Sequence, residues 1–394
     1  VARDAEPLRL RLPRRAALLS IGKKHGRGMS EDNAASSDDE EDAIDRQGAR
    51  EMMSDDETAS SDDEIEVVKR HERPWLLASK WDAEGLAARW PAMRDELLRE
   101  PPSSVRRERA SELTRDRFVA EYENKRVPVV VTGHDASWEA LSVESLRLEF
   151  GDTNWRTSDT HGAMVGLNRW AEYATVTTDD APFGIYDAEF ALPGLPTERL
   201  GRAYEPPEFC SPDFFEIDGE RPPWRWLLIG CPRSGTGMHV DPLHTHAWVH
   251  LSQGRKRWCM LPPCTSAESL KELDVDPSQP QLPSAAWFAR HKAPRGAVEF
   301  VQKAGELVYV PAGWTHAVLN LDFTVAITHN YATLTDACVK ATADEEPDFF
   351  FRLLAAKREP RAWIVVHPGH PFSHPGILDR VCGFLRGELA TVSR

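Results

Sequence analysis

Between about residues 224 and 330 the chain is a series of short apolar runs cut by Pro and Gly, and no other feature restricts its fold so much. Residues 226–229, 237–241, 247–251, 257–261, 306–310, 317–321 and 324–330 read as strands. Many short strands with turn signals between them predict a sandwich or barrel. The flanks read differently. Residues 75–98 carry apolar side chains at helical spacing, interrupted by Pro91, and 114–122, 142–150 and 168–173 read as short helices around a buried strand at 127–132. Past Thr335 the pattern turns helical again, over 349–356 and 375–389. The expectation is a mixed α and β protein whose β core is flanked by helices on both sides.

The formal net charge of −15 over 394 residues is unevenly placed. Residues 31–66 hold 16 Asp and Glu against two Arg, whereas residues 1–30 hold eight Lys and Arg against two acids, which leaves −7 on residues 67–394. The charge therefore describes a tail and not a partner-binding face. That tail, basic and then acidic and Ser-rich, has almost no apolar side chains to offset chain entropy and is expected to be disordered over 1–66. Serines ahead of acidic clusters, as in Ser60-Ser61-Asp62-Asp63-Glu64, suit acidophilic kinases, and a plain solvating tail is the alternative. Residues 1–28 read either as an Arg-rich leader or as an extension ahead of a start at Met29. The six cysteines form no CxxC pair, which fits a reduced intracellular setting, and no run approaches the apolar length of a membrane helix.

Within the β-rich stretch, Gly237-Met238-His239-Val240-Asp241-Pro242 sets an imidazole and a carboxylate two residues apart. On a strand that spacing puts both on one face. Such a pair is most of a 2-His-1-carboxylate iron site, which keeps coordination positions open for a co-substrate and oxygen. The missing histidine has a candidate in His316, which follows a strand and the tight turn Pro311-Ala312-Gly313-Trp314, so that an antiparallel neighbour can return it to the pair. His291 and His329 are rivals, one in a polar connection and the other of opposite parity to Thr328 and Asn330. His367, His370 and His374 sit among Pro and Gly near the end of the chain. Lys256 shares a strand face with Trp258 and Met260, where its ammonium is costly to bury unless an anion neutralises it; an anionic co-substrate supplies that charge.

The run from Pro232 to Leu243, then Gln253-Gly254 with Lys256-Arg257-Trp258-Cys259, then Val310-Pro311-Ala312-Gly313-Trp314-Thr315-His316 and Val318-Leu319-Asn320-Leu321-Asp322, resembles the jumonji C (JmjC) oxygenases, in particular the bifunctional arginine demethylase and lysyl hydroxylase group. Weaker similarity extends through 118–122, Pro128-Val129-Val130 and Arg221-Pro222-Pro223-Trp224-Arg225-Trp226, so the resemblance spans roughly residues 105–335. It implies a double-stranded β-helix, a cupin-like jelly roll, that binds Fe(II) and 2-oxoglutarate and uses O2. By the same resemblance His239, Asp241 and His316 hold the iron, Thr236 and Lys256 receive the distal carboxylate of 2-oxoglutarate, and Thr328 and Asn330 line the same pocket. The implied reaction couples decarboxylation of 2-oxoglutarate to oxidation of a C–H bond, giving hydroxylysine or a demethylated arginine. The implied substrate is a Lys- or Arg-bearing protein, histone or splicing-related, in the nucleus, with RNA and a homodimer contact through the C-terminal helices as candidate associations. The domains then divide as tail 1–66, helical flank and first strand 67–140, JmjC β-helix 141–335 and helical region 336–394. A JmjC-type scaffold that only binds, or an oxygenase of another residue or of RNA, is the competing reading.

Four positions depart from the pattern that this resemblance sets. Val249 stands where an asparagine is expected against 2-oxoglutarate, and Gly184 stands where a tyrosine is expected. Tyr186 and His250 are nearby polar groups able to compensate. His244 and His246 crowd the metal motif where small residues are usual; a loop role is favoured for both over one that supports the metal ligands from behind or contacts substrate.

Overall fold

The computed structural model describes residues 61–333 apart from 102–104, 134–140, 158–161, 217–220 and 277–279, together with 341–353 apart from 343, 347–348 and 351. The acidic tail up to residue 60, the helix expected at 375–389 with its candidate dimer contact, and His367, His370 and His374 lie outside the described residues.

The chain enters through helix α1, Ser61–Glu72. The helix begins ahead of residue 66, with Ile65 and Val68 a buried apolar pair one turn apart and Lys69 anchored on Asp179 by a 2.9 Å ion pair. Helix α2, Leu86–Leu97, buries Leu86, Trp90 and Leu97 and runs through Pro91 instead of breaking there. Strand β1, Arg106–Arg109, pairs in parallel with β2, Val129–Thr132. Between them α3, Arg115–Phe118, is capped by the Thr114 hydroxyl and continues as a π-helical turn over Val119–Glu123. Helix α4, Val143–Phe150, starts at a Ser142–Ser145 capping box. A small hairpin of β3, Asn154–Arg156, and β4, Met164–Gly166, leads into α5, Leu167–Val176, and then β5, Ile185–Asp187.

The core strands come next: β6, Arg225–Gly230; β7, Gly235–His239; β8, His246–Gln253; β9, Arg255–Leu261. Helices α6, Ala267–Glu272, and α7, Ser284–Arg290, interrupt before β10, Val298–Lys303; β11, Leu307–Val310; β12, Thr315–Asn320; and β13, Thr324–Tyr331. They form a seven-stranded sheet, β1-β2-β11-β8-β13-β6-β5, and a four-stranded sheet, β10-β9-β12-β7. Apart from the neighbours β9 and β10, consecutive core strands alternate between the two sheets, as a double-stranded β-helix requires. Apolar side chains from the two sheets meet in one cluster, with Val249, Leu251, Val308 and Ala326 from the larger sheet and Trp258, Met260, Phe300 and Val318 from the smaller. Among the described residues no helix is long and apolar enough to cross a membrane.

Candidate metal centre and co-substrate pocket

His239 ends β7, and the antiparallel register sets it directly against His316 on β12. The register slips between His316 and Val318 because β7 carries one extra residue, so Thr236 and His239, three residues apart, both line the cavity, opposite the regular alternation of His316, Val318 and Asn320 along β12. The two-residue spacing predicts Asp241 on the same strand as His239, and the structure corrects this. Asp241 lies past the end of β7, at the start of a 3-10 turn over Pro242–His244. Pro242 has no N–H to continue a ladder, and Leu243 and His244 take left-handed φ of 54° and 50°, a strained bend that carries the carboxylate back to the histidines.

The result is a convergent donor set. His239 Nδ1 lies 2.9 Å from the Gly237 carbonyl, and His316 Nδ1 lies 3.0 Å from the Trp314 carbonyl. Each ring donates from Nδ1, which leaves Nε2 as the basic nitrogen. The two Nε2 atoms stand 3.7 and 3.9 Å from the same Asp241 oxygen, Oδ1. All three ligand atoms lie within 4.8 Å of one another. Two imidazole nitrogens and one carboxylate oxygen fit a divalent transition metal such as Fe(II). The electrostatics agree. Burial and the neighbouring His239 press His316 down to about 4, so it stays neutral. Burial also disfavours the charged form of His239, but the hydrogen bond and charge of Asp241 outweigh it and raise its pKa. Burial would raise Asp241, yet the two histidines and Asn330 hold it below the ordinary carboxylate range. Trp258 stacks on His316 with ring centroids 5.8 Å apart and fixes its plane.

These residues line a cavity of about 690 Å³, which also takes in Thr236, Lys256, Thr328, Asn330 and Asn320. All the residues expected at the site from sequence are thus brought to one space. Lys256 is 4% exposed, and burial lowers its pKa to about 7. Its ammonium donates to Asn320 Oδ1 at 2.7 Å; Asn320 Nδ2 donates to Ser234 Oγ at 2.8 Å, and Ser234 Oγ to the Cys231 carbonyl at 2.6 Å. This hydrogen-bond chain orients the Asn320 amide, yet among the described residues no carboxylate pairs with Lys256. An anionic ligand satisfies it. Asn320 and Ser234 belong to the motif but carried no assigned role; the signal was a polar amide inside the otherwise apolar run Ala317-Val318-Leu319-Asn320-Leu321. Gly230 is part of the same device, because a Cβ there would stand 2.1 Å from Asn320 Nδ2 and 2.8 Å from Ser234 Oγ. Asn330 interacts with Asp241 and donates to Thr245 Oγ1 at 2.9 Å.

The departures resolve individually. A Cβ on Gly184 would stand 2.7 Å from the Ile229 carbonyl, so this backbone is built around glycine and has no place for a tyrosine. Tyr186, two residues on, lines the cavity with its ring 5.8 Å from that of Trp226. Val249 lines the cavity as an apolar wall, while His250 does not border it. His246 is not a loop residue: it opens β8, fully buried, where Tyr309 Oη meets its Nδ1 at 2.7 Å and Thr333 Oγ1 lies 3.1 Å from its Nε2. Burial lowers its pKa to about 4. His244 stays exposed on the turn. The rival ligands are spent elsewhere, His329 with Tyr204 Oη at 2.5 Å on the opposite face of β13 and His291 with Asp274 at 2.9 Å.

Comparison with known proteins gives the same assignment. Residues 226–331 match the family model described as "JmjC domain, hydroxylase". The chain is 32% identical over 285 residues to the bifunctional arginine demethylase and lysyl-hydroxylase psr-1 of Caenorhabditis elegans, covering 68% of this chain and 69% of that protein. The chain belongs to the JmjC family. It is also 34% identical over 242 residues to the lysine-specific demethylase JMJ21 of Arabidopsis thaliana, 57% of this chain and 25% of that one. With the human 2-oxoglutarate and iron-dependent oxygenase JMJD4 it shares 32% identity over 135 residues, 31% of this chain and 32% of that one. The JmjC match begins at β6 and ends with β13, so it contains His239, Asp241, Lys256 and His316 but not α1, β5 or the β3–β4 hairpin.

Proposed function

We propose that this JmjC enzyme is a Fe(II)- and 2-oxoglutarate-dependent protein oxygenase that hydroxylates lysyl side chains and demethylates N-methylarginine. One observation carries the reading: two Nε2 atoms converge on the Asp241 carboxylate in the same cavity that holds a buried ammonium without a carboxylate partner. His239, Asp241 and His316 hold the metal. Lys256 and Thr236 take the distal carboxylate of 2-oxoglutarate, one as a compact cation and the other as a hydroxyl donor. Thr328 and Asn330 line the pocket from β13. Bound there, Fe(II) with 2-oxoglutarate and O2 supplies the oxidising power, yielding succinate, CO2 and one oxygen atom on the substrate carbon.

The chain's own part is placement. Nδ1 hydrogen bonds lock both imidazole rings, and the Asn320–Ser234 pair locks the ammonium. Val249, Trp258 and Val318 keep the walls apolar. A lysyl carbon held at the site becomes hydroxylated. A methyl carbon on nitrogen gives a hemiaminal that releases formaldehyde, so substrate position decides the product. A histone or splicing-related substrate, nuclear residence and contact with RNA belong to the same proposal and are supported by the resemblance.

Purified protein given Fe(II) and 2-oxoglutarate is expected to form succinate and to add one oxygen to a lysine-rich peptide, or to remove a methyl group from a methylarginine peptide, by mass spectrometry. Binding of neither metal nor co-substrate returns the chain to the scaffold reading, and succinate without change to either peptide removes the substrate assignment.

A further inference from the structure

Part of the cavity lining has no role in the assignment above of metal and 2-oxoglutarate contacts. It is formed by Glu72 at the end of α1, Arg73 and Trp75 just after it, Thr157 after β3 and Gln281 ahead of α7. Trp75 is 62% exposed although it borders the cavity. Among the lining residues the carboxylates are Asp241, a metal-ligand candidate, and Glu72. Glu72 is half-buried and held in place, because Thr157 Oγ1 donates to its Oε1 at 2.6 Å. Its Oε2 has no hydrogen-bond or ion-pair partner among the described residues. The adjacent Arg73 feels the Glu72 charge but is bonded elsewhere: its Nη2 donates to the Ala181 carbonyl at 2.8 Å and its guanidinium lies 4.2 Å from the Trp81 ring centroid.

We infer that Glu72, with Trp75 beside it, is a specificity-determining site that receives a cationic Lys or Arg side chain flanking the residue to be oxidised. The inference rests on the oxygenase reading above and adds the sequence context of the peptide. His316 and Lys256 are buried whereas Trp75 is exposed, so a side chain bound beside Trp75 is a neighbour of the one that enters. A pre-positioned carboxylate with one open oxygen takes a charge-assisted hydrogen bond from that neighbour, and an exposed indole covers its methylene stem. Helix α1 lies outside the JmjC match, so this preference distinguishes the chain from relatives that share only the core.

The test uses the full chain and two peptides with one target lysine, flanked on both sides by arginine or by its neutral isostere citrulline. Wild-type protein is expected to favour the arginine peptide about tenfold, through KM. In Glu72→Gln, whose amide oxygen still accepts from Thr157, that preference disappears, while the citrulline peptide and peptide-independent succinate formation stay unchanged. Thr157→Val, which keeps the carboxylate but removes the hydrogen bond that holds it, is expected to weaken the preference without abolishing it. A wild type indifferent to the flanks, a Gln variant that still prefers arginine, or a Val variant that loses the preference as fully as Gln overturns the inference. If the wild type turns over nothing, the oxygenase reading fails by itself. Fluorescence anisotropy of the two labelled peptides on wild type and Glu72→Gln then decides the role of Glu72 separately.

Discussion

The two ends of the cavity are built in opposite ways. At the buried end every group comes from a β-helix strand or the turn after one, and its histidines and lysine are oriented by a second hydrogen bond. At the rim, α1 and the loop after it contribute one held carboxylate, one open oxygen and an exposed indole. Paired strands position atoms closely because the ladder fixes register, and such control suits a metal and a small diacid. A helix end docked on the outside can change without disturbing that register, which suits selection among peptides. The buried end therefore defines the reaction and the rim defines what is brought to it.

The largest effect that could break this comparison is on the metal ligands. His239→Ala or Asp241→Ala is expected to reduce succinate formation below detection and to remove stoichiometric iron measured by metal analysis. Retention of activity in either would detach the chemistry from the buried end. Next comes Lys256→Met, expected to raise the KM for 2-oxoglutarate about a hundredfold by removing a buried charge-assisted contact, with peptide preference unaltered. The same variant sharpens the electrostatics through pH. Burial lowers the pKa of Lys256 in the folded protein to about 7 from an ordinary value of 10.5. Below pH 7 the folded protein carries a disfavoured buried cation, and between 7 and 10.5 it sheds the proton before the unfolded chain does. The Tm of the ligand-free Met variant should exceed that of the wild type most below pH 7, and the gap should close towards pH 10.5. A gap independent of pH would mean that packing, not charge, sets it.

A smaller effect is expected from Gly230→Ala, which pushes Asn320 from Lys256 and should raise the KM for 2-oxoglutarate about tenfold while leaving the arginine-flank preference intact. A change in both parameters would show the two ends to be coupled. The smallest is Val249→Asn, which restores a polar group to the apolar wall and is expected to lower that KM about threefold. No change there would mean that the wall needs no polar contact at this position.

Much of this arrangement was legible in the residues, and what was not has physical causes. The core strands stood out because runs such as 247–251 and 324–330 concentrate apolar side chains between Pro and Gly turns. Strand β1, Arg-Arg-Glu-Arg, carries no such pattern and exists because β2 offers it a partner. The parity of His329 keeps it off the cavity-lining face that holds Thr328 and Asn330, since alternate strand residues face opposite sides. The same rule failed for Asp241, where the strand ends two residues too early and a strained turn brings the carboxylate in. His246 looked like a loop residue because its partners, Tyr309 and Thr333, are remote in sequence.

The order of residues by itself determined the ligand types, the pairing of a turn with His316 and the need for an anion beside Lys256, because donor chemistry, strand period and the cost of a buried charge are local properties. Only the tertiary structure decided that Asp241 reaches both imidazoles from outside its strand, that Asn320 and Gly230 hold the lysine, and that Glu72 borders the same cavity. Those relations join segments up to hundreds of residues apart, and their distances come from strand register and helix docking, which short-range pattern does not encode.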